Sequence, residues 1–221
     1  MTAEKTGKPG SVRLLITGKM GSGKGYCADY ISEKFNAQRW SRTELMKLLS
    51  HSVADQVGDP DAVLQRIFPD AGLRDEVRAE LISYAAGYVS EPGKPRRLYQ
   101  DVTEICQQHD PLCFERELAD RIEKVGECDF FLIDDVRSAA AFDYFTARGY
   151  RSLRIEAPEE VRRSRMLARD GYLPSEETFN HPSEIELDTV EHDFTVDNDG
   201  ADLDAFYAEL DRIMLSLKAA V

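Results

Sequence analysis

A glycine-rich turn, Gly18-Lys19-Met20-Gly21-Ser22-Gly23-Lys24-Gly25, joins an apolar run to a helix-like pattern, and few folds accommodate that order of elements. Val12-Arg13-Leu14-Leu15-Ile16-Thr17 reads as a buried strand, and the spacing of Cys27, Tyr30, Ile31 and Phe35 predicts a helix starting near Lys24. Glycines here let the backbone fold around an anion without Cβ clashes. Several N–H groups then point inward, and the helix dipole adds positive potential at the same spot. Glycine, four residues, then Gly-Lys after a hydrophobic strand is among the more specific short signals. It predicts a triphosphate cradle formed by Gly18, Lys19, Gly21, Ser22, Gly23, Lys24, Gly25 and Tyr26, with the Lys24 ammonium reaching the β- and γ-phosphates.

The rest of the chain alternates strands and helices. Residues 36–40 read as a short second strand, and Ser41 as the N-cap of a helix to about Val57, with Glu44 completing a capping box. Gly58-Asp59-Pro60 reads as a break, and a helical stretch over 73–89 ends in the loop signature Ser90-Glu91-Pro92-Gly93-Lys94-Pro95. Helices over 97–108 and 112–125, split by Asp110-Pro111, precede the strongest buried strand at 129–133. A helix over 139–148, a strand over 151–156, a helix over 161–169, a short strand over 194–196 and a closing helix over 203–217 complete the order. This alternation predicts an α/β fold around a mostly parallel sheet, and with the glycine motif it predicts the three-layer αβα sandwich of a P-loop NTPase. A single domain is expected over 11–221, with a helical acceptor-binding region at about 41–110 and a lid at about 160–185, after a disordered tail at 1–10.

Composition narrows the partners. A chain of 221 residues buries one good α/β core with an inserted subdomain and is too short for two catalytic domains. The net charge is −13, unevenly placed: of 28 basic and 41 acidic side chains, only 2 and 14 fall after Arg169. Such a surface repels nucleic acid polymers, yet a small phosphorylated ligand still suits a locally basic cleft. No run approaches the length of a membrane span, so no membrane partner is expected. Cys27, Cys106, Cys113 and Cys128 are scattered without Cys-x-x-Cys spacing, which reads as reduced thiols in a cytoplasmic protein. Both a monomer and a homodimer fit.

In such sheets ligands sit beyond the carboxyl ends of the strands. The strand over 129–133 delivers Asp134-Asp135-Val136-Arg137 to that edge. Asp134 and Asp135 are candidates to hold Mg²⁺ through water, Asp135 also to accept a hydroxyl proton, and Arg137 to neutralise a phosphoryl group. A role in capping the next helix is the plainer alternative. Arg162, Arg163, Arg165 and Arg169 lie on one helix followed by Gly171-Tyr172-Leu173-Pro174, which fits a lid closing over phosphates. Arg165 and Arg169 share a face there and are the lid candidates. For the acceptor, Arg42, Arg96 and Arg97 are candidates to grip a phosphate, while Trp40, Tyr84, Tyr88 and Tyr99 either stack a base or pack the core. His181-Pro182-Ser183-Glu184 reads as a loop or helix start.

The Gly-Lys-Gly ending of the turn resembles adenylate kinases and other small-molecule kinases, in which water completes the metal shell, and a guanine-reading Asn-Lys-x-Asp is absent. Several further blocks together resemble the deoxynucleoside monophosphate kinases of phages and bacteria and their relative, the animal-type phosphomevalonate kinase. These are Asn36-Ala37-Gln38-Arg39-Trp40-Ser41, Arg97-Leu98-Tyr99-Gln100, Asp110-Pro111 before Phe114, and Asp135-Val136-Arg137. His181-Pro182-Ser183-Glu184, leading to Asp193-Phe194-Thr195-Val196-Asp197-Asn198-Asp199-Gly200, is the most telling block. The resemblance implies ATP on Gly18 to Lys24, catalysis at Asp135 with Arg137, and a lid carrying Arg165 or Arg169. It implies an ATP-dependent, Mg²⁺-assisted kinase of a (deoxy)nucleoside monophosphate, with phosphomevalonate or another small phosphorylated acceptor as the alternative. A nucleotide-binding regulatory protein without turnover is the reading from a different class.

Overall fold

The computed structural model describes residues 10–55, 58–89, 95–126, 128–173, 175–180 and 182–221. In chain order these form β1 (Val12–Thr17), α1 (Lys24–Phe35), β2 (Gln38–Trp40), α2 (Thr43–Ala54), α3 (Pro60–Ile67), α4 (Ala71–Gly87), α5 (Arg96–His109) and α6 (Cys113–Lys124). There follow β3 (Phe130–Ile133), α7 (Ala139–Thr146), β4 (Arg151–Glu156), α8 (Glu159–Asp170), the one-turn helices α9 (Glu176–Phe179) and α10 (Pro182–Ile185), a 3₁₀ turn over Glu186–Thr189, β5 (Phe194–Asp197) and α11 (Leu203–Ala219). Two compact units result. One runs to Trp40 and resumes at Gly126, and the other is Ser41–Val125.

The first unit is an α/β sandwich, as expected. Its five strands pair in the order β2-β3-β1-β4-β5, every pairing parallel. All six residues of β1 and all four of β3 are buried. Continuous apolar strands of that kind need helices on both faces. On one face Leu14, Ile16, Leu132, Leu153 and Ile155 meet Ile31 of α1 and Phe206, Leu210, Ile213 and Met214 of α11. On the other, Arg13 at the middle of the sheet is buried because its guanidinium stacks on Phe131 and Tyr150, 5.9 and 5.5 Å from their ring centres. Phe145 of α7 packs against Tyr150 at 5.3 Å. Helix α1 ends at Asn36, which adopts φ 51° and so closes the helix in the left-handed region that asparagine tolerates.

The second unit is helical and has its own core, with Leu45, Leu49, Val63, Leu64, Phe68, Val77, Leu81, Leu98, Val102 and Phe114 at its centre. Helix α3 was not anticipated from the sequence. Gly58-Asp59-Pro60 reads as a break, but Asp59 accepts the Asp61 N–H at 2.9 Å and Pro60 takes the first helical position, where it loses no hydrogen bond. Asp70 caps α4 in the same way, accepting from Leu73 N at 2.8 Å. The N-cap of α2 is Arg42 and not the expected Ser41, with no side-chain cap hydrogen bond; Ser41 accepts the Thr43 N–H at 3.1 Å one residue earlier, and α2 stops at Ala54. The one-turn helices α9 and α10 are too short to leave a periodic signal.

All four cysteines are free, and burial pushes the thiols of Cys27 and Cys106 up to about 12. Among the described residues no helix is long and apolar enough to cross a membrane.

Candidate functional site

The glycine loop leaves β1 at Thr17 and enters α1 at Lys24. Three of its glycines have positive φ, +140° at Gly18, +80° at Gly21 and +100° at Gly23. Each is also hemmed in by a different element. A Cβ at Gly18 would strike the carbonyl oxygen of Ile155 in β4, one at Gly21 would lie 2.7 Å from the Arg162 carbonyl in α8, and one at Gly23 would strike the Asn198 amide beyond β5. The loop is therefore held by the carboxyl edge of the sheet and could not form with side chains at these positions.

Lys24 folds back over this loop, donating to the carbonyls of Gly18 at 2.5 Å and Lys19 at 3.0 Å. Burial brings its ammonium down to about 8, and the nearby Arg137 adds to that, while Glu184 and Asp134 oppose it. A buried ammonium held by two neutral carbonyls is stabilised by any anion entering the cradle. Lys19 points instead to Asp188, 2.6 Å away. Tyr26 is half exposed and joins its hydroxyl to that of Tyr207.

Two arginines of α8 line the loop. Arg165 donates to the Ser22 carbonyl at 3.3 Å and to Asn198 Oδ1 at 3.0 Å, and Asn198 Nδ2 donates to the same Ser22 carbonyl at 2.9 Å. Arg162 donates to the Met20 carbonyl at 3.3 Å and stacks on Phe179, 5.0 Å from the ring centre. Its Nε is buried without a hydrogen-bond partner among the described residues, as is the Ser22 hydroxyl in the loop itself. Orphaned buried donors are rare, and two of them beside a glycine loop leave hydrogen-bonding capacity for a ligand.

Arg165 thus lies against the glycine loop, whereas Arg169 is mostly exposed and bidentate to its neighbour Asp170 at 2.9 and 2.7 Å. Arg162, one turn before Arg165 on the inner face, is the second loop arginine. Its signal was an i, i+3 spacing to Arg165, as much a shared face as the i, i+4 spacing that pointed forward to Arg169.

At the exit of β3, Arg137 donates to Glu184 Oε1, and the Met20 N–H donates to Glu184 Oε2 at 2.6 Å. Asp134 gives both carboxylate oxygens to Arg39, which also binds Asp29 at 2.5 Å. Arg39 ends up 3.8 Å from where a Cβ on Gly25 would stand. Asp135 has one buried carboxylate oxygen. Of the two aspartates expected to meet a metal, Asp134 is thus engaged by a guanidinium. Among the described residues no three His, Cys, Asp or Glu side chains converge. Glu184, Arg39 and Arg162 are the residues that sequence reasoning did not assign.

In the helical unit the expected acceptor arginines are paired internally. Arg42 donates to the buried Glu115 at 2.8 Å, and Arg97 is exposed, 3.6 Å from Asp101. The side chain of Arg96, the loop 90–94, Pro174 and His181 lie outside the described residues. Tyr84 donates to Asp101 at 2.8 Å and Tyr99 contacts His51 at 2.8 Å, so both phenols are in use within the unit.

No protein-family model matches the chain, and no curated protein matches it. Solved structures do. TT1252 from Thermus thermophilus is 17% identical, covered over 96% of this chain and 98% of its own, with a TM-score of 0.51. An uncharacterized protein from Eubacterium ventriosum is 13% identical over 94% and 98%, TM-score 0.47. A sugar kinase from Janibacter sp. is 14% identical over 94% and 95%, TM-score 0.45. At such identities the likeness is one of fold.

Proposed function

We propose that the protein is an ATP-dependent phosphotransferase whose acceptor is itself a small phosphorylated molecule, a nucleoside or deoxynucleoside monophosphate taken to the diphosphate. One observation carries the reading: Lys24, Arg162 and Arg165 surround a glycine loop that still holds two unpartnered buried donors, with Arg137 at the neighbouring strand end. Phosphoryl transfer asks little more of a protein than positioning and charge neutralisation.

In this reading the loop amides and Lys24 bind the polyphosphate, exchanging the carbonyls of Gly18 and Lys19 for phosphate oxygens. Arg165, held by Asn198, and Arg162, held by Phe179, fix its orientation from α8. Arg137 lies within electrostatic reach of Lys24 and, held by Glu184, offers oriented N–H donors where negative charge develops. Mg²⁺, when bound with the nucleotide, supplies further neutralisation of the phosphate oxygens. Asp135 would hold it through water, in keeping with an ion that keeps most of its own shell. Arg42, Arg96 and Arg97 remain the candidates for the acceptor phosphate.

An ADP-release assay with ATP and Mg²⁺ against deoxynucleoside monophosphates, nucleoside monophosphates and phosphomevalonate tests the reading. Turnover with a nucleotide is expected, and Lys24→Ala should lower it by roughly a thousandfold while the protein stays folded. Full activity in Lys24→Ala, or release with none of the acceptors, contradicts it.

A further inference from the structure

Glu184 is a buried carboxylate that no step above uses. It sits on α10, in the segment between α8 and β5, and its two oxygens go to different parts of the site. One accepts from the Met20 amide in the glycine loop, the other from the Arg137 guanidinium beyond β3. Lys24 is close enough to feel its charge. The residues that follow are tied down in the same manner. Glu186 accepts from Ala139 N at 2.8 Å, Asp188 binds Lys19 and Arg154, and Arg154 donates to the Leu187 carbonyl at 2.8 Å.

A carboxylate placed only to tie down a backbone amide needs no guanidinium, and burying a negative charge beside an anion cradle opposes the cradle's own purpose. Its presence has a use if Arg137 must be held at a fixed angle. An unrestrained arginine has many rotamers, and one fixed by a charge-assisted hydrogen bond loses that freedom before the ligand arrives.

We propose that Glu184 is a positioning residue. It orients Arg137 over the cradle and pins the loop at Met20, at the expense of weaker ground-state anion binding. The turnover half of this inference rests on the phosphotransferase reading, while the binding half does not.

The test is Glu184→Gln, which keeps the shape and an oxygen for the Met20 amide but removes the charge. Tripolyphosphate binding by calorimetry should tighten by about tenfold, because one negative charge leaves the cradle. kcat should fall by roughly a hundredfold with KM for ATP not raised, a split that simple loss of structure does not produce. In an Arg137→Met background the same substitution should change kcat by less than about twofold. If Glu184→Gln does not fold, Glu184→Asp serves instead, with tripolyphosphate affinity within about twofold of wild type and kcat reduced at least about tenfold.

Weakened tripolyphosphate binding in Glu184→Gln, or an equal loss of kcat with and without Arg137, overturns the proposal. A wild-type protein that binds tripolyphosphate but transfers to no acceptor defeats the phosphotransferase reading. Binding alone then decides: tightening in Glu184→Gln supports Glu184 as the opposing charge, and no tightening overturns it.

Discussion

The ion pairs of the helical unit and the cations at the glycine loop of the sheet unit are arranged in opposite ways. In the helical unit Arg42, Arg66, Arg78 and Arg116 meet carboxylates from neighbouring elements of the same unit, Glu115, Glu117, Asp61 and Asp110. In the sheet unit Lys24, Arg162 and Arg165 donate to backbone carbonyls of a single loop. A cation on a carboxylate is neutralised, whereas a cation on a neutral carbonyl keeps its net charge for something else. Positive potential at the loop therefore survives in a protein whose net charge is −13.

The loop is the place where this contrast breaks most violently. Gly18→Ala forces a Cβ onto the Ile155 carbonyl at φ +140°, so a loss of about 3 kcal/mol in urea unfolding is expected together with loss of ATP binding. Next comes Arg42→Met, which takes the guanidinium from a fully buried Glu115 carboxylate. It should cost about 2 kcal/mol of stability, since Arg42 is nearly buried and Glu115 keeps other interactions. An unchanged urea midpoint with a raised acceptor KM would show instead that Arg42 serves the acceptor.

Much of this was legible in the sequence, for reasons that differ by residue. Strands β1 and β3 were readable because they are mostly apolar runs, and the loop because positive φ at Gly18, Gly21 and Gly23 excludes most other residues. Arg165 was readable from helical spacing, but Arg162 and Arg169 have equal claims by that rule. What separates them is the Phe179 ring and the Asp170 carboxylate, contacts that no periodicity encodes. Glu184 stood inside the block His181-Pro182-Ser183-Glu184 and was passed over, because its partners lie 164 and 47 residues away. Arg39 was likewise invisible, since Asp134 lies 95 residues from it.

A smaller effect follows from the titration of Lys24. Its folded value, about 8, is below the ordinary 10.5, so the penalty for burying its charge is full below about pH 8 and fades as pH rises toward 10.5. The ligand-free protein should therefore gain stability from this group across that window. Polyphosphate affinity should run the other way, falling toward tenfold per pH unit above about 8, and Lys24→Met should abolish the inflection. Calorimetry in buffers of different ionisation enthalpy should show proton uptake on binding near pH 8 in wild type alone.

Smallest are two substitutions in the helical unit. Arg97→Met should move stability by less than about 0.5 kcal/mol, so a raised acceptor KM there reports binding and nothing else. Gly87→Ala, at the end of α4 with open space around it, should stabilise by about 0.5 kcal/mol and leave ATP affinity unchanged.

Hydrogen exchange with and without ATP and Mg²⁺ asks the central question most directly: whether the charge left at the glycine loop is what holds the nucleotide. Amides of residues 18–25 should gain protection on binding, with smaller gains around Arg162, Arg165 and Asn198, and Lys24→Ala should erase all of them. Protection confined to residues 41–125, or none at the loop under saturating ATP, would contradict a nucleotide site there.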